Sequence, residues 1–184
     1  MADSLGTSFT PNYEINSLNL QKLEINSEIA ADYIINTIPW SEWLKFTVLP
    51  ANIVQAISAL KHTSISIDYA SENLNSDAHW IYEPSLEIPE HRYLVRHNFI
   101  NGSRGYWKET NTKRVVSKQN TIHVNQYAYP INTIDKKRNV DLINYEFKKK
   151  KIFGIGRWGR WEHMNSDVAV SEALVFAKKL VSNK

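Results

Sequence analysis

Apolar and polar positions alternate in short runs along much of this chain. INSLNLQKLEI (15–25) alternates over a few residues and predicts a strand pair or meander. ADYIINTIPW (31–40) is an apolar run closing on Thr-Ile-Pro, and it predicts a buried strand stopped by Pro39. HTSISIDYA (62–70) sets Ile65, Ile67 and Tyr69 on one face. HWIYEP (79–84) and RYLVRHNF (92–99) read as further strands, followed by a turn at NGSRG (101–105). TIHVNQYAYP (121–130) alternates again, with Ile122, Val124 and Ala128 opposite His123, Asn125, Tyr127 and Tyr129. IFG (152–154) is a short strand.

Three stretches change to the helical period. Pro50 suits a first turn, and Ile53, Ile57 and Leu60 follow at helical spacing. From Lys136 to Lys150, Val140, Ile143 and Phe147 form an apolar stripe, with Asp135 in the capping place. The last helix runs from Ser166 to Val181, capped by Asn165 or Ser166. Ala169, Ala173, Ala177 and Leu180 lie on one face, and Lys178 and Lys179 sit where they suit the dipole. Strands outnumber helices and their order is mixed. The pattern predicts an α/β (α+β) fold: a mixed, largely antiparallel sheet, a few helices and a C-terminal strand–turn–helix. Residues 1–12 are polar and expected to be flexible, and residues 13–184 are expected to form a single domain.

Composition narrows the function. A chain of 184 residues can bury a real core, roughly 70% of its unfolded surface. There is no cysteine, which excludes a disulfide scaffold, a Cys-zinc site and a thiol nucleophile and fits the cytoplasm. The N-terminal stretch has no secretory pattern, and no apolar run suits a membrane helix. Net charge is +3, concentrated in KKRN (136–139) and KKKKI (148–152), which read as solvated helix faces; no nucleic-acid module accompanies them. The six histidines lack the i, i+4 pairing with glutamate of a zinc hydrolase, so no metal site is expected. No G-x-S-x-G elbow is present. Carboxylate pairs for glycoside hydrolysis stay open, because their separation is not readable from sequence.

FGIGRWGRWEHMNSD (153–167) contains the spacing G-x-G-x-x-G at Gly154, Gly156 and Gly159. A Rossmann fingerprint also needs a second parallel strand after the helix, with an acid about twenty residues on. The sequence given ends with that helix, so a complete βαβ unit is not expected. Two readings of the bend remain level. Gly156 and Gly159 with Arg157 admit a flat or anionic ligand beside the amide-rich helix start, or the glycines only let a strand meet a helix.

The same stretch, GRWGRWEHMNSD, resembles the closing motif of flavoproteins of the UDP-galactopyranose mutase family, within the FAD-dependent amine-oxidase-type superfamily. Three other segments agree in order. ADYIINTIPW resembles the strand ending in Thr-Ile-Pro that leaves the FAD-binding region. HWIYEPSLEIPEHRYLVRHNF resembles a Trp-x-Tyr stretch followed by Pro-x-x-Arg, and QYAYPINT resembles a Tyr-Pro-Ile segment before a helix. The resemblance covers residues 13–182.

It implies the C-terminal, substrate-facing and closing part of a flavin-dependent UDP-sugar mutase, interconverting pyranose and furanose rings, with FAD in the complete enzyme. It also implies cofactor contacts at Gly156, Arg157, Gly159, Asn165 and Asp167, and substrate contacts at Arg92, Tyr127, Tyr129, Trp161 and His163. No catalytic residue follows from it. His163 stands where the family has a second aromatic, and Glu90 and His91 also replace aromatics. The pyrophosphate fingerprint, near the N-terminus in the family, is not in this stretch. The expected partners are therefore a UDP-sugar and a separate FAD-binding half, and FAD binding by this chain alone is expected to be weak or absent. Two alternatives stand beside this reading: part of an amine-oxidase-type oxidoreductase, and a non-catalytic remnant that binds a nucleotide-sugar or a protein.

Overall fold

A computed structural model describes residues 2–115 and 120–182. They fall into two compact units: residues up to Leu60 with those from Thr133 on, and the intervening Lys61–Asn132. No break in composition marks this division of the expected 13–184 domain. It shows only in which residues pack together.

In the first unit, β1 (Leu18–Asn19), β2 (Glu24–Ile25) and β3 (Ile29–Ala30) form an antiparallel meander. The alternation over 15–25 anticipates its first two strands. β4 (Ile34–Asn36) follows, then two helices that each open after a proline, α1 (Trp40–Trp43) and α2 (Ala51–Ala59). β4 is shorter than the apolar run suggests. Its buried residue is Asn36, while Ile35 is exposed. The Asn36 amide donates to the Ile38 carbonyl and accepts from the Ile38 N–H and the Trp43 indole, which ends the strand ahead of Pro39.

The second unit is a five-stranded antiparallel sheet. It contains β5 (His62–Ala70), β6 (Trp80–Tyr82), β7 (Glu90–Val95), the single turn α3 (Arg96–Phe99), β8 (Tyr106–Asn111) and β9 (Thr121–Pro130). The order is β6-β7-β8-β5-β9. One expectation needs correction here, and one strand was not anticipated. The strand expected over 92–99 stops at Val95, and the chain turns helical. β8, which no apolar pattern announces, lies at the centre of the sheet. On β9, an edge strand, Ile122 and Val124 are exposed.

The chain then returns to the first unit with α4 (Lys136–Lys148), β10 (Ile152–Gly154), the single turn α5 (Gly156–Gly159) and α6 (Ser166–Ser182). Asp135 occupies the cap position of α4 through its backbone carbonyl, which accepts from the Asn139 N–H. Its carboxylate faces Arg138 at 3.4 Å and does not cap. β10 pairs in parallel with β4, bringing the bend after Gly154 beside Asn36. The stripes of α2 and α4 (Ile53, Ile57, Val140, Ile143, Phe147) close on Trp40, Trp43, Ile152 and Trp161 to make the core. Phe147 stacks on Trp40 at 4.8 Å. α6 spans the residues expected of the last helix, but none of them is buried, and Val168, Val170, Leu174 and Val175 are exposed. Among the described residues no helix is long and apolar enough to cross a membrane.

Candidate functional site

The sequence-predicted residues fall on both units. In the first, the bend from β10 to α6 is a set of backbone contacts too close for side chains. A Cβ on Gly154 would lie 2.4 Å from the Gly159 carbonyl oxygen and 2.8 Å from the Trp40 ring. A Cβ on Gly159 would lie 2.5 Å from the Asn36 carbonyl oxygen. The Trp40 indole donates to the Gly159 carbonyl at 2.9 Å. Two of the three glycines are therefore accounted for by packing of β4, β10 and α5. Gly156 differs: its φ is +68°, and nothing lies within 4 Å of its would-be Cβ.

Arg157 donates from Nη2 to the Met164 carbonyl at 2.8 Å and so ties the bend to the segment entering α6. Trp161 is fully buried against Trp158, a core position although the sequence suggests a substrate contact. His163, Asn165 and Asp167 are exposed. The Asn165 carbonyl accepts from the Ala169 N–H as α6 starts, and Asp167 puts an acid in its first turn, where the dipole favours it. A groove of 370 Å³ opens beside the bend, between β10, α4 and α6. Ile155, Arg160, Glu172 and Phe176 are among its lining residues, and Arg160 pairs with Glu172 at 2.9 Å.

In the second unit the registers align Tyr82, Arg92, Glu109, Ile67 and His123 in one row across the strands. Residues directly opposite on neighbouring strands share a face. Arg92 grips Glu109 with both prongs of its fork: Nε donates to Oε2 and Nη2 to Oε1, each at 2.8 Å. Glu109 is buried, and the Arg92 guanidinium lies 5.9 Å from the centre of the Tyr82 ring. The hydrogen bond to Glu109 holds the Arg92 pKa above its ordinary value, against the cost of burial. Arg92 and Tyr129 lie on β7 and β9 of this one sheet, and Tyr129 adds a small electrostatic influence to Arg92. Tyr127 packs its ring on His62, with centroids 4.6 Å apart.

A bulge in β7 between Glu90 and Arg92 brings His91 to Glu109 as well, with Nε2 3.6 Å from Oε2. Burial pushes the His91 pKa down, as do Arg92 and Arg114, while Glu109 opposes them. The contact with Glu109 is therefore ionic only once His91 is protonated. A hollow of 340 Å³ adjoins this cluster, lined by Thr63, Ile65, His91, Asn111, Arg114 and Tyr129, with Pro89 at its edge. Sequence reasoning missed Glu109 and Arg114. Glu109 was findable as a lone acid in a six-residue stretch that also holds Tyr106 and Trp107. Among the described residues no group of three or more acidic or histidine side chains is placed to hold a metal.

No family model and no curated protein matches this sequence. Solved structures do match. One is a reduced UDP-galactopyranose mutase, with a TM-score of 0.69 at 17% identity over 87% of this chain and 44% of that one. The chain has the fold of part of a UDP-galactopyranose mutase. A second is a fatty acid isomerase from P. acnes that produces CLA, with a TM-score of 0.64 at 13% identity over 92% of this chain and 47% of that one. This chain therefore spans a little under half the length of both. The mixed, largely antiparallel architecture expected from sequence is the one observed, and it is shared with the mutase.

Proposed function

We propose that this chain is the substrate-facing and closing part of a flavin-dependent UDP-sugar mutase. One observation carries the reading. Arg92 and Tyr129, selected from separate motifs, converge on one sheet of a fold shared with a UDP-galactopyranose mutase. In this reading the sugar nucleotide's diphosphate lies against Tyr129 near the Arg92–Glu109 pair, with Tyr127 beside it. Glu109 fixes the guanidinium's plane, so little side-chain entropy is lost when ligand arrives.

The flavin would meet the other unit. Gly156 has open space around its Cα and a left-handed φ, which fits close approach of a flat ring. The first amides of α6, after Asn165 and around Asp167, would face the ring's electron-rich edge. When bound, a reduced flavin would supply nucleophilic chemistry at the sugar's anomeric carbon, with UDP as the leaving group. Arg157 acts by holding the Met164 carbonyl and with it the entry to α6. Trp161 supports the bend from within the core, and Gly159 keeps it tight against β4. His163, at the exposed surface after the bend, would face a phosphate oxygen. The dinucleotide-binding half lies outside this stretch in the proposal. The two-stranded parallel β4–β10 sheet and the exposed valines of α6 support it, since parallel sheets are normally covered on both faces.

Calorimetric titration with UDP tests the reading. Wild type should give a saturable heat. Tyr129→Phe should weaken binding about tenfold or more, the value of one charge-assisted hydrogen bond, and Arg92→Ala should weaken it too, by leaving the Glu109 carboxylate unpaired beside the site. Absence of heat from wild type would remove the mutase reading for this chain. The likeness to a fatty acid isomerase favours a second reading, part of a flavoprotein acting on an apolar substrate, which predicts no UDP heat.

A further inference from the structure

The geometry points to Arg114, with His91, as an anion-binding pair that receives a phosphate-type dianion in the hollow between β5, β7 and β9. This deepens the UDP-sugar reading by adding residues that no motif selects. The starting point is a charge balance. Arg92 has spent its fork on the buried carboxylate of Glu109, so that pair is close to neutral as a unit. Arg92 is also not among the residues lining the hollow. Arg114, which does line it, lies in the short turn Thr112–Arg114 after β8. Its Nη2 donates to the Leu86 carbonyl in the segment leading into β7. That bond sets the guanidinium's orientation, occupies one of its five N–H donors, and does not neutralise it.

Across the hollow, the β7 bulge turns His91 inward beside Glu109, and Tyr129 adds a phenol from β9. Thr63 and Asn111 supply further polar groups, over a floor that includes Ile65. A volume of 340 Å³ is at the lower end for a small-ligand cleft and ample for a diphosphate. The charged and titratable groups around His91 are Glu109 from β8, Arg92 from β7 and Arg114 from the turn after β8. A bound dianion would lie next to Arg114 and favour the protonated form of His91, which burial and the two arginines otherwise disfavour. A guanidinium fork matches the oxygens of a phosphate in plane and spacing.

The test is calorimetry with three probes, inorganic pyrophosphate, UDP and uridine, on wild type, Arg114→Gln, Arg114→Lys and His91→Gln. Melting temperatures of all four confirm the fold. Arg114→Gln should weaken pyrophosphate and UDP at least tenfold and leave uridine unchanged. Arg114→Lys should recover part of the loss, and His91→Gln should weaken both anions by a smaller factor. If UDP binds wild type and Arg114→Gln equally, the assignment is overturned and the mutase reading stands. If pyrophosphate binds wild type but not Arg114→Gln while UDP gives no heat, the anion site stands and the mutase reading falls. If wild type takes neither pyrophosphate nor UDP, the site itself is refuted.

Discussion

Each glycine of the closing bend meets a different physical demand, and substitution separates them. Gly154 and Gly159 sit where a methyl would strike backbone oxygen or the Trp40 ring, groups that cannot swing aside. Gly159→Ala should therefore destabilise by about 3 kcal/mol or more, at the upper end of overpacking costs. Gly156→Ala meets no atom and costs only the left-handed backbone, about 1–2 kcal/mol. Urea denaturation of the two variants measures the difference; equal losses would mean that packing does not set the requirement. Sequence spacing left the ligand and packing readings of this motif level. A G-x-G-x-x-G pattern records where side chains are forbidden, and a neighbouring backbone forbids them as well as a cofactor does. Trp161 was illegible for a related reason. A tryptophan flanked by arginine and glutamate looks like an exposed contact, and only the packing of Trp158, Trp40 and Ile152 shows that it lies in the core.

Elements with one covered face were readable, and elements made by long-range pairing were not. α2 and α4 carry clean stripes, and their predicted residues Ile53, Ile57, Ile143 and Phe147 are all buried. β8 was missed because its inward positions are polar. Glu109 is tolerated in mid-sheet because Arg92, from the next strand, meets it. The parallel β4–β10 pairing joins residues over a hundred positions apart, and no local pattern encodes it. The β7 bulge is likewise invisible in sequence, yet it decides where His91 goes. Burial lowers the His91 pKa below its value in the unfolded chain, so the unfolded state binds the proton more tightly. Stability from this group is complete above the ordinary histidine value. It declines as pH falls through that value toward the lower folded one. Denaturant midpoints compared between pH 7.5 and 5.5 should fall further for wild type than for His91→Gln. Identical pH profiles would show that the bulge does not bury the imidazole.

The two units differ in how much apolar surface they enclose, and that difference bears on the whole molecule. Among described residues the first unit's core holds three buried tryptophans with Ile53, Ile57, Ile143, Phe147 and Ile152. Among the described residues, the buried apolar ones of the second are Ile65, Ala70, Val95 and Ala128, two of them alanines. Trp80, Tyr82, Ile122 and Val124 of its sheet are all more than 45% exposed. A fully buried side chain of the Val, Leu or Phe class contributes about 1.5–3 kcal/mol, so a core with fewer and smaller members gives a sheet that opens at lower free energy. The polar interior of that sheet adds specificity more than stability, since the Arg92–Glu109 pair must first offset its own desolvation. Native-state hydrogen exchange should then find amides of β5 and β8 exchanging through openings well below the free energy needed for α2 and α4. A substrate or anion that engages His91 on β7, Arg114 in the turn after β8 and Tyr129 on β9 should raise the protection of β7, β8 and β9 and leave α2 and α4 unchanged. Equal protection of both units without ligand would contradict the difference in core size. Ligand protection spread evenly over both would contradict a binding surface confined to the sheet.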